Sequence, residues 1–452
     1  MKGVYIINYA VKGIKNLDEW ASLSFYKKAI RKNFDIRKYN IKGIYGVNGA
    51  GKSAIIRSVS ILKALILDSN YLIVPAVQKQ MNDLINKKTK KLEIKTDFLA
   101  YLENKSILCH YEISIEKNRF NRYQIDKEQL SYRNALSHTD EMQTIYHIKD
   151  GELQFSIDDQ YSAMVIDQTK NLLENASLPS LWITKKELAL YMGDKPNQLW
   201  IDLSMLILFA SNLCVYMDSG DDHSDYYIHD VMKGVLLSGK YETNTFGKIT
   251  VQLEKLSEQK IGLSAGLIKV EKKYYDTFKM EVEKLSEFLR VFKDDLRNVK
   301  IERKVNKNTY LCSLILDYGD YSLNAEFEST GIKKLIQLYD YLDRMMNGYI
   351  VFIDELDSNL HDVYLCALLE YLMENGEGQL CFTTHNIGPM DVLKRNKKSI
   401  DFLSTDHRIY SWTKNGNYSP SKLYKNGMIE GSPFNIFSFD FINSFYTEEG
   451  DN

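Results

Sequence analysis

Gly46-Val47-Asn48-Gly49-Ala50-Gly51-Lys52-Ser53 has the spacing G-x-x-x-x-G-K-S, a form whose backbone N–H groups wrap nucleotide phosphates. The residues on either side supply the context such a loop requires. Ile41-Lys42-Gly43-Ile44-Tyr45 reads as a short strand, and residues 54–62 carry the apolar spacing of a helix. Strand, glycine loop and helix thus follow in the order that aims a helix N-terminus at an anion. Gly46, Gly49 and Gly51 let the backbone approach a pyrophosphate closely, and Asn48 and Ala50 belong to the same cofactor-binding set. Lys52 is placed to reach the β- and γ-phosphates, and the Ser53 hydroxyl to hold Mg²⁺. The pattern implies ATP or GTP as ligand. A phosphate loop does not read the base, but no Asn-Lys-x-Asp guanine-reading motif occurs, which favours ATP.

At 452 residues the chain is long enough for two or three domains, and 44% apolar with 26% charged residues is ordinary globular composition. A net charge of −2 gives no global pull toward nucleic acid, so any such contact must come from a local patch. The five cysteines, Cys109, Cys214, Cys312, Cys366 and Cys381, are scattered and lack C-x-x-C spacing, which points to a reducing cytoplasm and no zinc framework. Met1 to Tyr9 lacks the apolar core of a signal peptide and reads as a first strand. No window reaches the ~20 apolar residues that span a bilayer, and residues 203–216 read as a buried helix. A soluble, cytoplasmic protein is expected.

Alternating apolar segments at residues 4–9, 92–99 and 106–115 flank the glycine loop and open an α/β unit. From about residue 162 the pattern shifts to longer helical runs, read as a mainly helical insertion over 162–299 between an N-terminal lobe (1–161) and a C-terminal lobe (300–452). Within it, the acidic cluster Asp218-Ser219-Gly220-Asp221-Asp222-His223-Ser224-Asp225 lacks the ligand spacing of an EF-hand and reads as a solvated loop. Residues 266–297 carry an apolar stripe at helical spacing, too short for a sustained coiled coil.

In the C-terminal lobe an apolar strand, Tyr349 to Ile353, ends in Asp354-Glu355, where a metal-binding and a water-activating carboxylate belong in a nucleotide hydrolase. Asp354 is placed to orient metal-bound water, and Glu355 to polarise the attacking water. A second apolar strand, residues 379–384, runs into His385, whose imidazole N–H can stabilise charge developing on a γ-phosphate. Upstream, Glu328-Ser329-Thr330-Gly331 puts a serine and a glycine at a helix N-terminus, a geometry that suits either an anion or a simple N-cap.

Phosphate loop, Ser-x-Gly signature, strand with Asp-Glu and strand with His occur here in an order that resembles the ABC-class ATPases of the SMC/RecF/OLD-like branch. The chain is most similar to stand-alone AAA-type ATP-binding proteins of bacterial antiphage systems, of the Septu, PARIS and abortive-infection kind. Phe327-Glu328-Ser329-Thr330-Gly331-Ile332-Lys333-Lys334-Leu335 matches that branch's signature rather than Leu-Ser-Gly-Gly-Gln. Ile353-Asp354-Glu355-Leu356-Asp357-Ser358-Asn359-Leu360-His361 looks like a joined Walker B and D-loop, and Thr383-Thr384-His385-Asn386 like an H-switch. The resemblance covers residues 1–130 and 278–441. It implies an α/β P-loop NTPase fold, an ABC-type head without long coiled-coil arms, and ATP hydrolysis with Mg²⁺. It also implies head-to-tail dimers or larger oligomers in which Ser329 and Gly331 complete the partner's site and Asp357 lies at the interface. Gln124 and Gln129 fall where that family carries a Q-loop glutamine, but neither has a diagnostic setting. Residues 387–452 are too few for the Toprim nuclease of OLD-type proteins.

The expected role is a sensor or regulator that controls a separate effector protein in phage defence. The alternative is a DNA-repair or chromosome-maintenance ATPase of RecF type, with Lys87-Lys88-Thr89-Lys90-Lys91 and Lys394-Arg395-Asn396-Lys397-Lys398 as phosphate contacts. Such runs also serve as solvated faces. A transporter subunit is disfavoured by the signature and by the large insertion.

Overall fold

The computed structural model describes residues 3–432 apart from 27–29, 31–34, 103–104, 138–140, 157–159, 186–187, 189–197, 218–261, 397 and 414–418. The acidic cluster at 218–225 lies outside the described residues.

The chain begins with β1 (Gly3–Lys12) and β2 (Ala21–Ser24), then β3 (Ile41–Tyr45), the glycine loop and α1 (Lys52–Leu67). α2 (Pro75–Leu84) follows, with proline at a position where its missing N–H costs nothing. Five strands come next: β4 (Lys91–Leu102), β5 (Lys105–Lys117), β6 (Tyr123–Asn134), β7 (Gln143–Lys149) and β8 (Glu152–Phe155). With β1 and β2 they build an antiparallel sheet in the order β2-β1-β4-β5-β6-β7-β8. After α3 (Gln160–Thr169), α4 (Leu178–Thr184) and α5 (Gln198–Asn212) the chain enters β9 (Leu213–Tyr216).

A small antiparallel group holds β10 (Ile268–Glu271), β11 (Asn298–Asn306), β12 (Thr309–Asp317) and β13 (Ser322–Asn324), with α6 (Tyr275–Phe292) packed on it. α7 (Thr330–Met346) leads to β14 (Ile350–Ile353), α8 (Asp362–Asn375), β15 (Gln379–Thr383), α9 (Met390–Leu393), β16 (Ile400–Leu403), β17 (Ile409–Ser411) and α10 (Pro420–Lys425). The second large sheet has the order β17-β16-β3-β15-β14-β9, and all its pairings are parallel except β16 with β17.

Parallel strands covered on both faces read as continuous apolar runs, and every residue of β3, β9, β14 and β15 is buried. The two faces separate with period two. Ile350 and Phe352 join the core that contains α1 and the antiparallel sheet, and the Phe352 ring lies 6.2 Å from Tyr9 and 6.4 Å from Phe25. Val351 and Ile353 point the other way, into the core shared with α7 and α8. Helix α1 is thereby sandwiched between the two sheets, with Ile55, Ile56, Val59 and Leu62 inaccessible to solvent. Burial of each such side chain contributes about 1.5–3 kcal/mol.

The stretch expected to be a helical insertion divides differently. Residues 203–216 end as a helix at Asn212, and Leu213-Cys214-Val215-Tyr216 becomes a strand paired in parallel with β14. An unbroken apolar run suits a buried strand as well as a buried helix, so periodicity could not separate them. The last strand of this region, Leu213–Tyr216, therefore belongs to the same sheet as β3, and α5 packs beside α1 in its core. The helix expected from residue 266 starts at Tyr275, because Ile268-Lys269-Val270-Glu271 alternates with period two and pairs with β12. No helix among the described residues is long and apolar enough to cross a membrane.

Candidate functional site

The register of the parallel sheet builds the site. Ile44 of β3 pairs with Thr383 of β15, and Phe382 pairs with Ile353 of β14, so three adjacent strands end level with one another. The glycine loop leaves β3 there, Asp354-Glu355 follows β14 and His385 follows β15.

In the loop, Gly49 and Gly51 have φ of 77° and 110°, a left-handed backbone that side chains disfavour. Gly46 is required for a different reason, since a β-carbon there would lie 2.5 Å from the Leu403 carbonyl oxygen. Gly51 is the N-cap of α1, and the first helical residue is Lys52. The Lys52 ammonium donates to the carbonyls of Gly46 at 2.8 Å and Val47 at 3.1 Å. Burial pulls its pKa down to about 8, while Asp354, Glu355 and Asp357 act to hold its proton. The lysine thus lies within electrostatic reach of all three carboxylates. Ser53 occupies the first turn of α1.

Asp354 is nearly buried, and its Oδ1 accepts from Thr383 Oγ1 at 2.6 Å. The same hydroxyl accepts from the backbone N–H of Glu355 at 2.8 Å, so one threonine orients both acids. Glu355 is exposed and has a left-handed φ of 50°. Its carbonyl accepts from Lys334 Nζ at 2.7 Å, and that amine also donates to Ser358 Oγ. Asp357 Oδ1 is buried and has no hydrogen-bond partner among the described residues. His385 is exposed, and its pKa is lowered by desolvation and by the neighbouring Lys52, against the pull of Asp357, Glu355 and Asp354. Both effects favour the uncharged ring, which carries one N–H to donate.

The structure therefore brings Lys52, Asp354, Glu355, Asp357 and His385 together at the glycine loop. Ser329 and Gly331 sit elsewhere: Ser329 caps α7 by accepting from the Ile332 N–H, and a β-carbon on Gly331 would lie 2.7 Å from the Asn359 carbonyl. Gly331 thus abuts the turn that follows Asp357, where Thr330 Oγ1 also donates to Asn359 Oδ1 at 3.4 Å. Gln124 and Gln129 lie on β6, where Gln129 donates to Ser131.

Hard oxygen donors from one hydroxyl, Ser53, and one carboxylate, Asp354, fit Mg²⁺ that shares its shell with phosphate and water. Among the described residues no group of three His, Cys, Asp or Glu could hold a metal by itself.

Four further side chains serve this site, two of them quoted within motifs above without this role. Thr383 and Lys334 hold the acidic turn, while Asn16 reaches the glycine loop from another part of the chain with His407 behind it. Thr383 and Lys334 lie within the H-switch and signature segments, which gave them no such role, and nothing marked Asn16 or His407. The basic runs are partly consumed by internal pairs: Lys88 with Asp18, Lys91 with Asp126, Lys394 with Asp391 and Arg395 with Glu370.

No protein-family model and no curated protein matches the chain.

Proposed function

We propose that the chain is an ATP-binding and ATP-hydrolysing P-loop NTPase of the ABC class. What carries this reading is the meeting of the Lys52 amine, the Asp354 and Glu355 pair and His385 at the level ends of three parallel strands. Open parallel sheets take their ligands in the crevice outside the carboxyl ends of the strands. There Lys52 would exchange the Gly46 and Val47 carbonyls for β- and γ-phosphate oxygens, regaining basicity beside the added negative charge. Glu355 would orient the attacking water, and the neutral His385 ring would donate to the oxygen that gains charge. Mg²⁺ held by Ser53 and Asp354 would neutralise the bridging phosphates.

In the same reading the molecule forms head-to-tail dimers or larger assemblies and regulates a separate effector in antiphage defence. The signature and the joined Asp354 to His361 segment carry that part through their resemblance. Ser329 and Thr330 are exposed at the start of a 17-residue helix, next to a Phe327 that is 72% exposed, which supports a face open to a second chain. The internal pairing of the basic runs lends the DNA-repair alternative no support.

Mass photometry and ATP turnover of the parent and Glu355→Gln, with and without Mg-ATP, test the proposal. The expected result is ATP-dependent dimers in both, with turnover in the variant lower by roughly 100-fold or more. Turnover equal to the parent would assign the base elsewhere, and a monomer indifferent to ATP would remove the shared-site mechanism.

A further inference from the structure

The outer side of the glycine loop carries a hydrogen-bonded chain that the proposed chemistry leaves unused. Asn16, in the turn between β1 and β2, donates through Nδ2 to the Gly49 carbonyl at 2.5 Å. Its Oδ1 lies against Gly51, 2.9 Å from where a β-carbon on that residue would stand. Behind Asn16 is His407, from the turn between β16 and β17, with Nε2 at 3.4 Å from Asn16 Nδ2 and Nδ1 at 2.7 Å from Asp18 Oδ1. Lys88 closes the chain on Asp18 Oδ2 at 2.8 Å, and together Lys88 and His407 hold the Asp18 carboxyl well below the usual carboxylate range. An ionised Asp18 can only accept, so His407 donates from Nδ1 and presents its Nε2 lone pair to the Asn16 amide. The amide is thereby fixed with its donor end toward the loop.

We propose that Asn16 and His407 are positioning residues that hold the glycine loop in its anion-binding form, an inference that rests on the nucleotide reading above. Gly49 needs such a support because, among the described residues, no atom lies within 4 Å of where its β-carbon would be, and its φ of 77° is open to rotation in a glycine. A peptide plane sets C=O and N–H on opposite sides. Fixing the Gly49 carbonyl outward turns the Ala50 N–H inward, where it faces the Val47 carbonyl at 3.3 Å. The support is itself rigid. Ile14 and Leu17 are fully buried, Gly13 N–H donates to Leu17 O at 2.7 Å, and Asn86 Nδ2 donates to Lys15 O at 2.7 Å, which ties the turn to the end of α2.

Titration calorimetry of the full chain with Mg-ATP, with steady-state turnover and thermal melts, tests this. Asn16→Leu, which keeps the volume and removes the donor, and Asn16→Asp, which replaces donor by acceptor, should each weaken Mg-ATP binding about tenfold, the worth of one such hydrogen bond. KM should rise in step, kcat at saturation should stay within about twofold, and the melting temperature without nucleotide should not move. His407→Phe should weaken binding less, and Asn16→Leu/His407→Phe should bind no worse than Asn16→Leu alone, because the histidine acts through the amide. Parent-like affinity in both Asn16 variants, or a fall in kcat with unchanged KM, overturns the clamp alone. A parent chain that binds no Mg-ATP overturns the nucleotide reading and takes the clamp with it.

Discussion

Glu355 shows how much of a site can depend on one backbone angle. A non-glycine residue at φ 50° stores on the order of 1–3 kcal/mol of strain and persists only where its surroundings over-determine it. Here Thr383 Oγ1 accepts from its N–H, Lys334 donates to its carbonyl, and Thr383 donates in turn to Asp354. The identities of Asp354 and Glu355 were legible from a buried strand ending in two acids. The hydroxyl that aims them was not, because it comes from the next strand and only the register of β14 with β15 brings it near. His385 occupies the corresponding end of β15, and its role is expected to lie in turnover. His385→Ala should lower kcat about 100-fold, the usual loss for one donor to developing charge, with KM little changed. Steady-state kinetics over a range of Mg-ATP concentrations will show this, and an unchanged kcat would exclude the histidine from the chemistry.

At the scale of elements, the joint between α4 and the antiparallel sheet is made by one carboxyl. Glu128, on β6 and fully buried, accepts from Tyr146 Oη at 2.6 Å and Tyr111 Oη at 3.1 Å, and its second oxygen accepts from the Leu178 N–H at 3.0 Å. Leu178 is the first residue of α4, so the carboxyl fills a donor that the helix leaves open. Burial pushes its pKa from 4.5 up to about 7, against those three bonds. The unfolded chain then ionises first. The stability contributed by this group is full below about pH 4.5 and is lost as pH rises through about 7. The difference amounts to about 3 kcal/mol. Urea denaturation from pH 4.5 to 8 should reveal that decline, and Glu128→Gln should flatten it whatever its own stability. An equal slope in the two proteins would place the titrating group elsewhere. Nothing in the sequence marked Glu128, since a glutamate on a strand with a polar outer face looks solvated until the sheet's inner face is known.

Across the whole molecule, the two large sheets share more than apolar contact. At the start of β15, Gln379 donates through Nε2 to the Ile6 carbonyl at 2.9 Å and accepts from the Ile6 N–H through Oε1 at 2.7 Å. Ile6 lies at the register shift between β1 and β4, where the ladder is interrupted and backbone groups need another partner. A side-chain amide carries one donor and one acceptor in the right pairing to replace a missing strand. Gln379→Leu would leave both backbone groups buried and unpaired, at about 1–3 kcal/mol each. Chemical denaturation should show a stability loss of about 2–6 kcal/mol. A loss under 1 kcal/mol would mean that water or a shifted strand satisfies them.

The sequence by itself determined the local chemistry: a glycine loop between a strand and a helix, two acids after a buried strand, and a histidine after another. Each of these is contiguous in the chain and has a residue pattern with a direct physical reason. It also located the strands β1, β3, β4, β5, β14 and β15 to within a few residues, because alternation follows from one-sided packing and unbroken burial from two-sided packing. Only the tertiary structure decided that Leu213 to Tyr216 is a strand, that Thr383 and Lys334 hold the acidic turn, and that Asn16 and His407 brace the loop. Those outcomes depend on which strands become neighbours. His407 stands 389 positions from the Asp18 it bonds, and no local periodicity records a contact closed over that distance.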